Sequence, residues 1–332
     1  MMKKEKRKLE ETIKEINTDA GNRIAYTGKD AKQDIEVVST GMLPLDFAIG
    51  CGGFPKGRII EMHGLQSVGK TSLALGITAE FQRKNLTCAF VDAEFALDLD
   101  HARNLGVDTD KLLIVQPDTG EQAFEAIEKL VRQNTAQFIV VDSVPALVPR
   151  AVIEAETGKP TMGALARLMS QGLAKLVGPA AKNGTIILFL NQLRANIMGG
   201  QYDPYTVTGG MALRFYTTII LELKKDKGLM QGDELKGYSI SIKVKKNKVG
   251  KPMEKCVVQL VFESGFSAEA DILSIGEKAG LITRSGNTYS YRDTKLGIGY
   301  NKAREFLTTN PELAQEILSD IQRSVSPESE VS

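Results

Sequence analysis

The chain has 332 residues and a nearly balanced charge, with 42 Lys and Arg against 41 Asp and Glu and a formal net charge of +1. Hydrophobic residues make up 42% of the chain and charged residues 25%, which is usual for a globular protein and excludes global disorder. No apolar run approaches the roughly 18 residues of a membrane span. The three cysteines are widely scattered. We therefore expect a cytoplasmic protein of about two domains, with reduced thiols and without a disulfide framework or a zinc site.

The N-terminal residues predict an amphipathic helix over 2–16, in which Leu9, Ile13 and Ile16 lie on one stripe. A polar stretch from Asn17 to Asp34 follows and predicts a linker or a small extended arm. We therefore separate residues 1–35, as an N-terminal helix and an arm for oligomerisation, from the rest of the chain.

From residue 37, short apolar runs alternate with helical segments. Such runs predict strands that are buried on both faces, which is typical of an α/β fold with a mainly parallel sheet covered by helices. After Gly210 the pattern changes to a period of two, so the later strands are expected to be antiparallel and to extend one edge of a mixed sheet. The predicted strands are Ile59–Met62, Cys88–Val91, Leu112–Val115, Phe138–Val141, Ile186–Leu190, Thr218–Leu223, Ser239–Lys245 and Cys256–Phe262.

We expect this core to span residues 36–267. From about Ala268 the chain becomes helical and rich in loops, with a polar hairpin predicted at Gly286 and Asn287, so residues 268–323 predict a small α+β C-terminal domain. The last residues, 324–332, are rich in Ser and Glu and predict a disordered tail.

A complete phosphate-loop pattern, Gly-x-x-x-x-Gly-Lys-Thr, lies between a predicted strand and a predicted helix, which is the context that such a loop requires. Glycines let backbone N–H groups turn toward phosphate oxygens, and the helix N-terminus favours an anion. Lys70 would reach the β- and γ-phosphates, and the Thr71 hydroxyl would hold Mg²⁺. The alternative is a glycine turn with an accidental lysine. The predicted phosphate-binding residues are Gly64, Leu65, Gln66, Ser67, Val68, Gly69, Lys70 and Thr71.

Three polar residues stand at the ends of predicted strands. Asp142 lies where a parallel sheet presents its ligands and could hold Mg²⁺, or it could cap the next helical segment. Glu94 is the best general-base candidate by position. Gln192 carries a neutral amide that could sense the γ-phosphate. For Glu94 and Gln192, a purely structural role remains equally open.

Together these stretches resemble the RecA recombinase family, in a series of motifs that covers about residues 36–315. The resemblance implies a RecA-type P-loop ATPase core that binds ATP and Mg²⁺ and forms a filament on single-stranded DNA. It also implies DNA-dependent ATP hydrolysis, and homologous pairing and strand exchange with double-stranded DNA. The N-terminal arm and the tail depart from the family pattern, so the chain is identified as a somewhat divergent bacterial or phage member. Besides the phosphate loop, the matching stretches are 39–58, 90–98, 116–122, 141–143, 169–171, 191–192, 208–210 and 244–248.

The resemblance also assigns roles near the nucleotide. Asp98 would contact adenine, and His101 occupies the position of a tyrosine that stacks on the base. The alternative for His101 is an ordinary surface histidine. Lys246 and Lys248 would reach across a subunit interface to the γ-phosphate of a neighbour's ATP. The alternative for the two lysines is a solvated basic face that helps to hold DNA.

Two loops would contact DNA in this family, corresponding to residues 154–162 (loop one) and 194–210 (loop two). The glycines, tyrosines and Arg194 of loop two suit backbone and stacking contacts to nucleic acid. Met162 could instead be a core methionine. The predicted DNA-binding residues are Met162, Arg167, Ser170, Arg194, Ile197, Gly209 and Gly210.

Two other functions remain open from the sequence. A hexameric helicase or branch-migration ATPase could use the same core. A DNA-coating protein could use ATP only as a conformational switch, although such a protein would not need Glu94 as a base.

Overall fold

The computed structural model describes residues 2–21, 24–29, 36–156, 163–195, 205–231, 233–262 and 265–325. The chain divides into two compact units, Met1–Glu36 and Val37–Ser332. No helix among the described residues is long and apolar enough to cross a membrane.

The N-terminal unit contains the predicted helix, which continues to Asp19. The Asn17 side chain closes the segment that follows the helix, because its Oδ1 accepts the backbone N–H groups of Ile24 and Ala25 and its Nδ2 donates to the Ala25 carbonyl. The prediction of a linker or arm over residues 17–34 falls partly outside the described residues.

The second unit is built on a mixed sheet with helices on both faces. In chain order, the strands are β1 (Val37–Val38), β2 (Phe54–Pro55), β3 (Ile59–Gly64), β4 (Cys88–Asp92), β5 (Leu113–Val115), β6 (Phe138–Asp142), β7 (Ile186–Ala195), β8 (Tyr205–Val207), β9 (Ile219–Gln231), β10 (Glu234–Asn247), β11 (Lys255–Val261), β12 (Gly265–Phe266), β13 (Ile282–Ser285), β14 (Thr288–Tyr291) and β15 (Thr294–Ile298).

The helices of both units, in chain order, are α1 (Met2–Asp19), α2 (Leu43–Ile49), α3 (Lys70–Arg83), α4 (Leu99–Asn104), α5 (Gly120–Arg132), α6 (Arg150–Ile153), α7 (Ala164–Asn183), α8 (Met211–Tyr216), α9 (Ala268–Lys278), α10 (Tyr300–Thr309) and α11 (Pro311–Val325), with a 3₁₀ turn at Val144–Ala146.

The main sheet has the strand order β12-β11-β10-β9-β3-β7-β6-β4-β5, with β8 paired to β7. In this order, each pair of neighbours from β9 through β3, β7, β6 and β4 to β5 is parallel. Each pair of neighbours from β9 through β10 and β11 to β12 is antiparallel. This arrangement confirms the predicted α/β fold with a mixed, mainly parallel sheet. The carboxyl ends of β3, β4, β6 and β7 therefore lie along one edge, where ligands of parallel sheets bind.

The expectation of a purely antiparallel extension is wrong for the first added strand. β9 runs parallel to β3, with Ile219 opposite Ile60, and antiparallel only to β10. The physical reason is the connection, because α8 lies between β7 and β9 and a crossover of this kind brings the chain back in the same direction.

The central strands β3, β4 and β6 are buried on both faces, which explains their continuous apolar runs. The expectation of burial is wrong for β5, where Leu113 and Ile114 are exposed because this strand forms the edge of the sheet. Neighbouring residues of one strand point to opposite sides. Ile60 and Met62 pack with residues of α3, while Ile59 packs with residues of α5 and α7.

The C-terminal part has its own apolar cluster around a three-stranded sheet of β13, β14 and β15. The predicted hairpin at Gly286 is present between β13 and β14. Helix α11 continues to Val325, so the first two residues of the predicted tail are helical. The rest of that tail, residues 326–332, lies outside the described residues.

Candidate functional site

The phosphate-loop residues connect β3 directly to α3. Gly69 precedes the helix with a φ of 94°, a left-handed conformation that glycine adopts without strain. A Cβ on Gly64 would lie 2.7 Å from the Leu223 carbonyl oxygen of β9, so the loop also needs glycine where it leaves the sheet. These contacts hold the loop against the sheet edge with the N-terminus of α3 behind it.

Lys70 folds back over this loop. Its Nζ donates hydrogen bonds to the carbonyl oxygens of Gly64, at 3.2 Å, and Leu65, at 2.9 Å. Burial lowers the pKa of Lys70, while the carboxylates of Asp142 and Glu94 act in the opposite direction. The two carboxylates lie close enough to favour the ammonium form, which is the form that a phosphate would require.

Thr71 and Asp142 meet across the strand ends. The Thr71 hydroxyl donates to Asp142 Oδ2 at 2.7 Å, and burial raises the pKa of Asp142 to about 6. A hydroxyl and a carboxylate oxygen are ligands that Mg²⁺ prefers, and this ion usually takes few protein ligands together with phosphate. These two residues therefore fit Mg²⁺. The capping alternative for Asp142 is not supported, because the residue at the cap of the next turn is Ser143.

Glu94 lies in a turn that the buried carboxylate of Asp92 organises. Asp92 accepts the backbone N–H groups of Ala96, at 3.1 Å, and Leu97, at 3.2 Å, and the side-chain amide of Gln116 at 3.0 Å. This turn places the exposed side chain of Glu94 just beyond the carboxyl end of β4.

Two donors hold the Glu94 carboxylate. The hydroxyl of Ser143, which is only 1% exposed, donates to Glu94 Oε1, and Gln192 Nε2 donates to the same oxygen at 3.3 Å. The structure thus brings together Lys70, Thr71, Glu94, Asp142 and Gln192, all of which the sequence predicts to be site residues. Ser143 is the residue that sequence reasoning missed, although its position directly after a strand-end aspartate was a usable signal.

Asn191 links Gln192 to a second, buried network. Its side-chain oxygen accepts the backbone N–H of Gln192 at 2.9 Å, and its Nδ2 donates to Glu61 Oε1 at 2.9 Å and to the Thr208 carbonyl at 3.0 Å. Asn191 and Glu61 are at most 1% exposed. The end of the predicted loop two is therefore tied to the strand that carries Gln192.

Asp98 and His101 lie on the other side of the phosphate loop, at the start of α4. Asp98 caps this helix, and the backbone N–H of His101 holds the pKa of the carboxyl group below its usual range. His101 Nε2 lies 2.9 Å from Ser72 Oγ, in the first turn of α3. The histidine is partly buried and contacts the phosphate-loop helix, which favours a place in the site over an ordinary surface position. Contact with the base stays a prediction for both residues.

The described residues predicted to bind DNA lie around the start of α7 and the ends of loop two. Arg167, Ser170 and Arg194 are exposed. Gly209 is buried with a φ of 91°, and Gly210 has a φ of 75° and precedes α8. Met162 and Ile197, predicted as apolar contacts to DNA, lie outside the described residues.

Lys246 and Lys248 both reach the last turn of α8. Lys246 Nζ donates to the carbonyl oxygens of Arg214, at 2.6 Å, and Thr217, at 2.7 Å, and Lys248 Nζ donates to that of Phe215 at 3.3 Å. Burial lowers the pKa of Lys246, and the nearby charge of Lys248 adds to this shift. The two ammonium groups therefore reach the same turn of α8, although Lys248 lies one residue beyond the end of β10, and Lys246 is not freely solvated.

Comparisons with known proteins find similarity over nearly the whole chain. The family model described as RecA N-terminal domain matches residues 7–267, and the one described as RecA C-terminal domain matches residues 270–326. The chain is 46% identical over 318 residues to Protein RecA of Caldanaerobacter subterraneus, covering 96% of this chain and 93% of the relative. It is 46% identical over 304 residues to Protein RecA of Paramagnetospirillum magneticum, covering 92% and 85% of the two chains. It is also 46% identical over 294 residues to Protein RecA of Clostridium botulinum, covering 89% and 83%. With a mainly parallel core that carries a phosphate loop at its edge, the chain belongs to the RecA recombinase family.

Proposed function

We propose that this chain hydrolyses ATP in a DNA-dependent reaction and uses the nucleotide cycle to pair and exchange homologous DNA strands. The observation that carries the proposal is the convergence of the Thr71–Asp142 and Glu94–Gln192 hydrogen bonds at one edge of the sheet, beside Lys70. A cation, two metal-binding oxygens, a base and a neutral amide are the groups that phosphoryl transfer to water requires.

In the proposed reaction, backbone N–H groups of residues 64–71 and the ammonium of Lys70 bind the phosphates. Thr71 and Asp142 would hold Mg²⁺, which supplies positive charge to the phosphate oxygens when it is bound. Glu94 takes a proton from the attacking water while the water oxygen bonds to the γ-phosphorus. The bond from this phosphorus to the bridging oxygen breaks, and the electron pair stays on ADP.

The DNA part of the proposal rests on the start of α7 and the ends of loop two. Exposed Arg167 and Arg194 can contact phosphates of any sequence, and Asn191 connects the end of loop two to Gln192. Release of the γ-phosphate from Gln192 could thus change the grip on DNA, as in other switches that respond to a γ-phosphate.

Assembly is the third part of the proposal. We place ATP at the interface between subunits of a helical filament, with Lys246 and Lys248 acting on the nucleotide of a neighbour. A cytoplasmic location, expected from the scattered cysteines, belongs to the same proposal.

The test is ATP turnover with and without single-stranded DNA, followed by strand exchange with a homologous duplex. We expect stimulation by DNA and exchange only with homologous substrates. Equal turnover in both conditions would contradict the DNA-dependent reaction. A DNA-coating switch would show nucleotide binding without turnover.

The helicase alternative is less favoured, because both family models and the relatives described above are RecA. Electron microscopy of the protein with ATP and DNA separates the two functions further. Filaments are expected, whereas closed rings would favour the helicase.

A further inference from the structure

We propose that Ser143 is a positioning residue for the Glu94 carboxylate, and that it fixes which oxygen of Glu94 accepts the proton from water. This inference rests on the proposed ATP hydrolysis and adds to it the residue that orients the base.

The two oxygens of the Glu94 carboxylate differ in the hydrogen bonds that they accept. Ser143 Oγ and Gln192 Nε2 both donate to Oε1, whereas Oε2 has no hydrogen bond within the described part of the chain. A carboxylate oxygen that accepts a hydrogen bond is less basic than one that accepts none, so Oε1 stays the less basic oxygen even when Ser143 alone donates to it. The geometry therefore leaves Oε2 as the oxygen that takes the proton.

Ser143 does not perform the structural task that is usual for its position. It is the cap residue of the 3₁₀ turn Val144–Ala146, where a serine hydroxyl commonly accepts a backbone N–H. Here the side chain makes no such bond. A buried hydroxyl needs a partner, and the partner of this one is Glu94.

The two donors to Glu94 differ in exposure and in side-chain length. Gln192 is partly exposed, has a long side chain and contacts Glu94 at 3.3 Å, so it can turn toward a γ-phosphate. Ser143 is 1% exposed and follows directly on β6. When Gln192 leaves to bind phosphate, Ser143 is the donor that still restricts the exposed Glu94 side chain.

In the hydrolytic step, the Ser143 hydroxyl keeps its own proton throughout. The proton of water moves to Glu94 Oε2 as the water oxygen bonds to the γ-phosphorus and the bond to the bridging oxygen of ADP breaks. A base displaced by about 1 Å can lose on the order of 10²-fold in rate. Ser143→Ala should therefore slow kcat by about 10- to 100-fold and leave nucleotide affinity within about threefold of wild type.

The test is a double-mutant cycle in the full-length protein with Mg²⁺, ATP and single-stranded DNA. We would measure kcat for wild type, Ser143→Ala, Glu94→Gln and the double variant, and measure affinity with a non-hydrolysable ATP analogue. If Ser143 acts only through Glu94, Ser143→Ala should change the rate of the Glu94→Gln protein by less than about twofold. Ser143→Cys, which has a slightly larger side chain and keeps a weak donor, should lie between wild type and Ser143→Ala.

The matched control is Thr185→Val, which removes another fully buried hydroxyl whose bond to the Ala136 carbonyl lies outside the site. It should lower thermal stability about as much as Ser143→Ala and leave kcat unchanged. If Ser143→Ala does not fold, Ser143→Cys carries the same cycle.

The possible results distinguish a failure of the Ser143 proposal from a failure of the proposed ATP hydrolysis. A wild-type rate for Glu94→Gln would overturn the assignment of the base itself. If Glu94→Gln is slow, Ser143 is refuted as a positioning residue when Ser143→Ala has the wild-type kcat, or when it slows both backgrounds by the same factor. Parallel losses of kcat and nucleotide affinity would likewise reduce Ser143 to a structural residue.

Discussion

Asp46 is a buried carboxyl group that holds its proton to a higher pH in the folded protein than in the unfolded chain. It is 6% exposed and accepts hydrogen bonds from the Ser39 hydroxyl and from the backbone and side chain of Thr40. Burial nevertheless raises the pKa of Asp46 to about 6, because the loss of water outweighs these bonds. Burial also raises the pKa of Asp271 well above its usual range.

The first prediction is that the protein loses stability as the pH rises from 4 toward 7. An acid with a raised folded-state pKa contributes stability fully below its unfolded pKa of 3.8, and this contribution is lost as the pH rises through about 6. For Asp46 the loss is on the order of 3 kcal/mol. Asp46→Asn should flatten the dependence, measured by urea unfolding at several pH values. The charge of Asp46 also raises the pKa of Asp271, so the substitution should reduce both contributions, and identical slopes would contradict the role of Asp46.

The second prediction concerns Lys70. Lys70→Ala removes the cation over the phosphate loop, so we expect ATP turnover to fall below detection while the protein remains folded. Phosphate release measures turnover, and circular dichroism checks the fold. Retained turnover would show that Lys70 does not act on the phosphates.

The third prediction concerns Glu94. Glu94→Gln keeps the shape of the side chain but removes the base, so hydrolysis should slow by about 10²–10⁴-fold while nucleotide still binds. The protein should therefore stay on DNA longer after ATP is added, which fluorescence anisotropy of labelled DNA can follow. Fast release of the protein from DNA together with slow ATP hydrolysis would show that DNA binding does not depend on the nucleotide state.

At the scale of elements, the fourth prediction concerns loop two. Arg194→Ala should weaken binding to all single-stranded sequences by a similar factor, because phosphates are common to every sequence. A plot of the logarithm of the binding constant against the logarithm of the salt concentration should have a slope that is less steep by roughly 0.7 for each phosphate that the variant no longer neutralises. Arg132→Ala, at an exposed arginine of α5 that pairs with Glu128, is the matched control and should change neither quantity. A weakening confined to one base composition would contradict this prediction.

The sequence predicted the strands of the core well, because burial on both faces leaves an unmistakable apolar run such as Phe138–Val141. The sequence did not predict that β7 continues to Ala195, because the polar residues Asn191 and Gln192 are typical of the start of a loop. In the structure, Asn191 is accommodated within the strand by its hydrogen bond to Glu61. The bond between Ser143 and Glu94 joins residues 49 positions apart, so no local pattern could reveal it.

At the scale of the whole molecule, the fifth prediction is complementation between two inactive subunits. Lys246→Ala/Lys248→Ala subunits retain an intact phosphate loop, and Lys70→Ala subunits retain both lysines. If the lysines act on a neighbour's nucleotide, mixing the two proteins should restore part of the ATP turnover. If the two proteins assemble together but ATP turnover does not recover at any mixing ratio, the alternative of a solvated basic face is favoured for the two lysines.

The bonds from Lys246 and Lys248 to the carbonyl groups of α8 have a consequence for the timing of assembly. Cations stabilise the C-terminal end of a helix. If the two lysines act on a neighbour's nucleotide, its phosphate would therefore compete with carbonyl acceptors that each subunit already provides. Engagement of the lysines then has a threshold, which weak or brief encounters between subunits would not reach. Because α8 begins directly after Gly210, the same short helix would in that case respond both to the arrival of a neighbour and to the conformation of the predicted loop two.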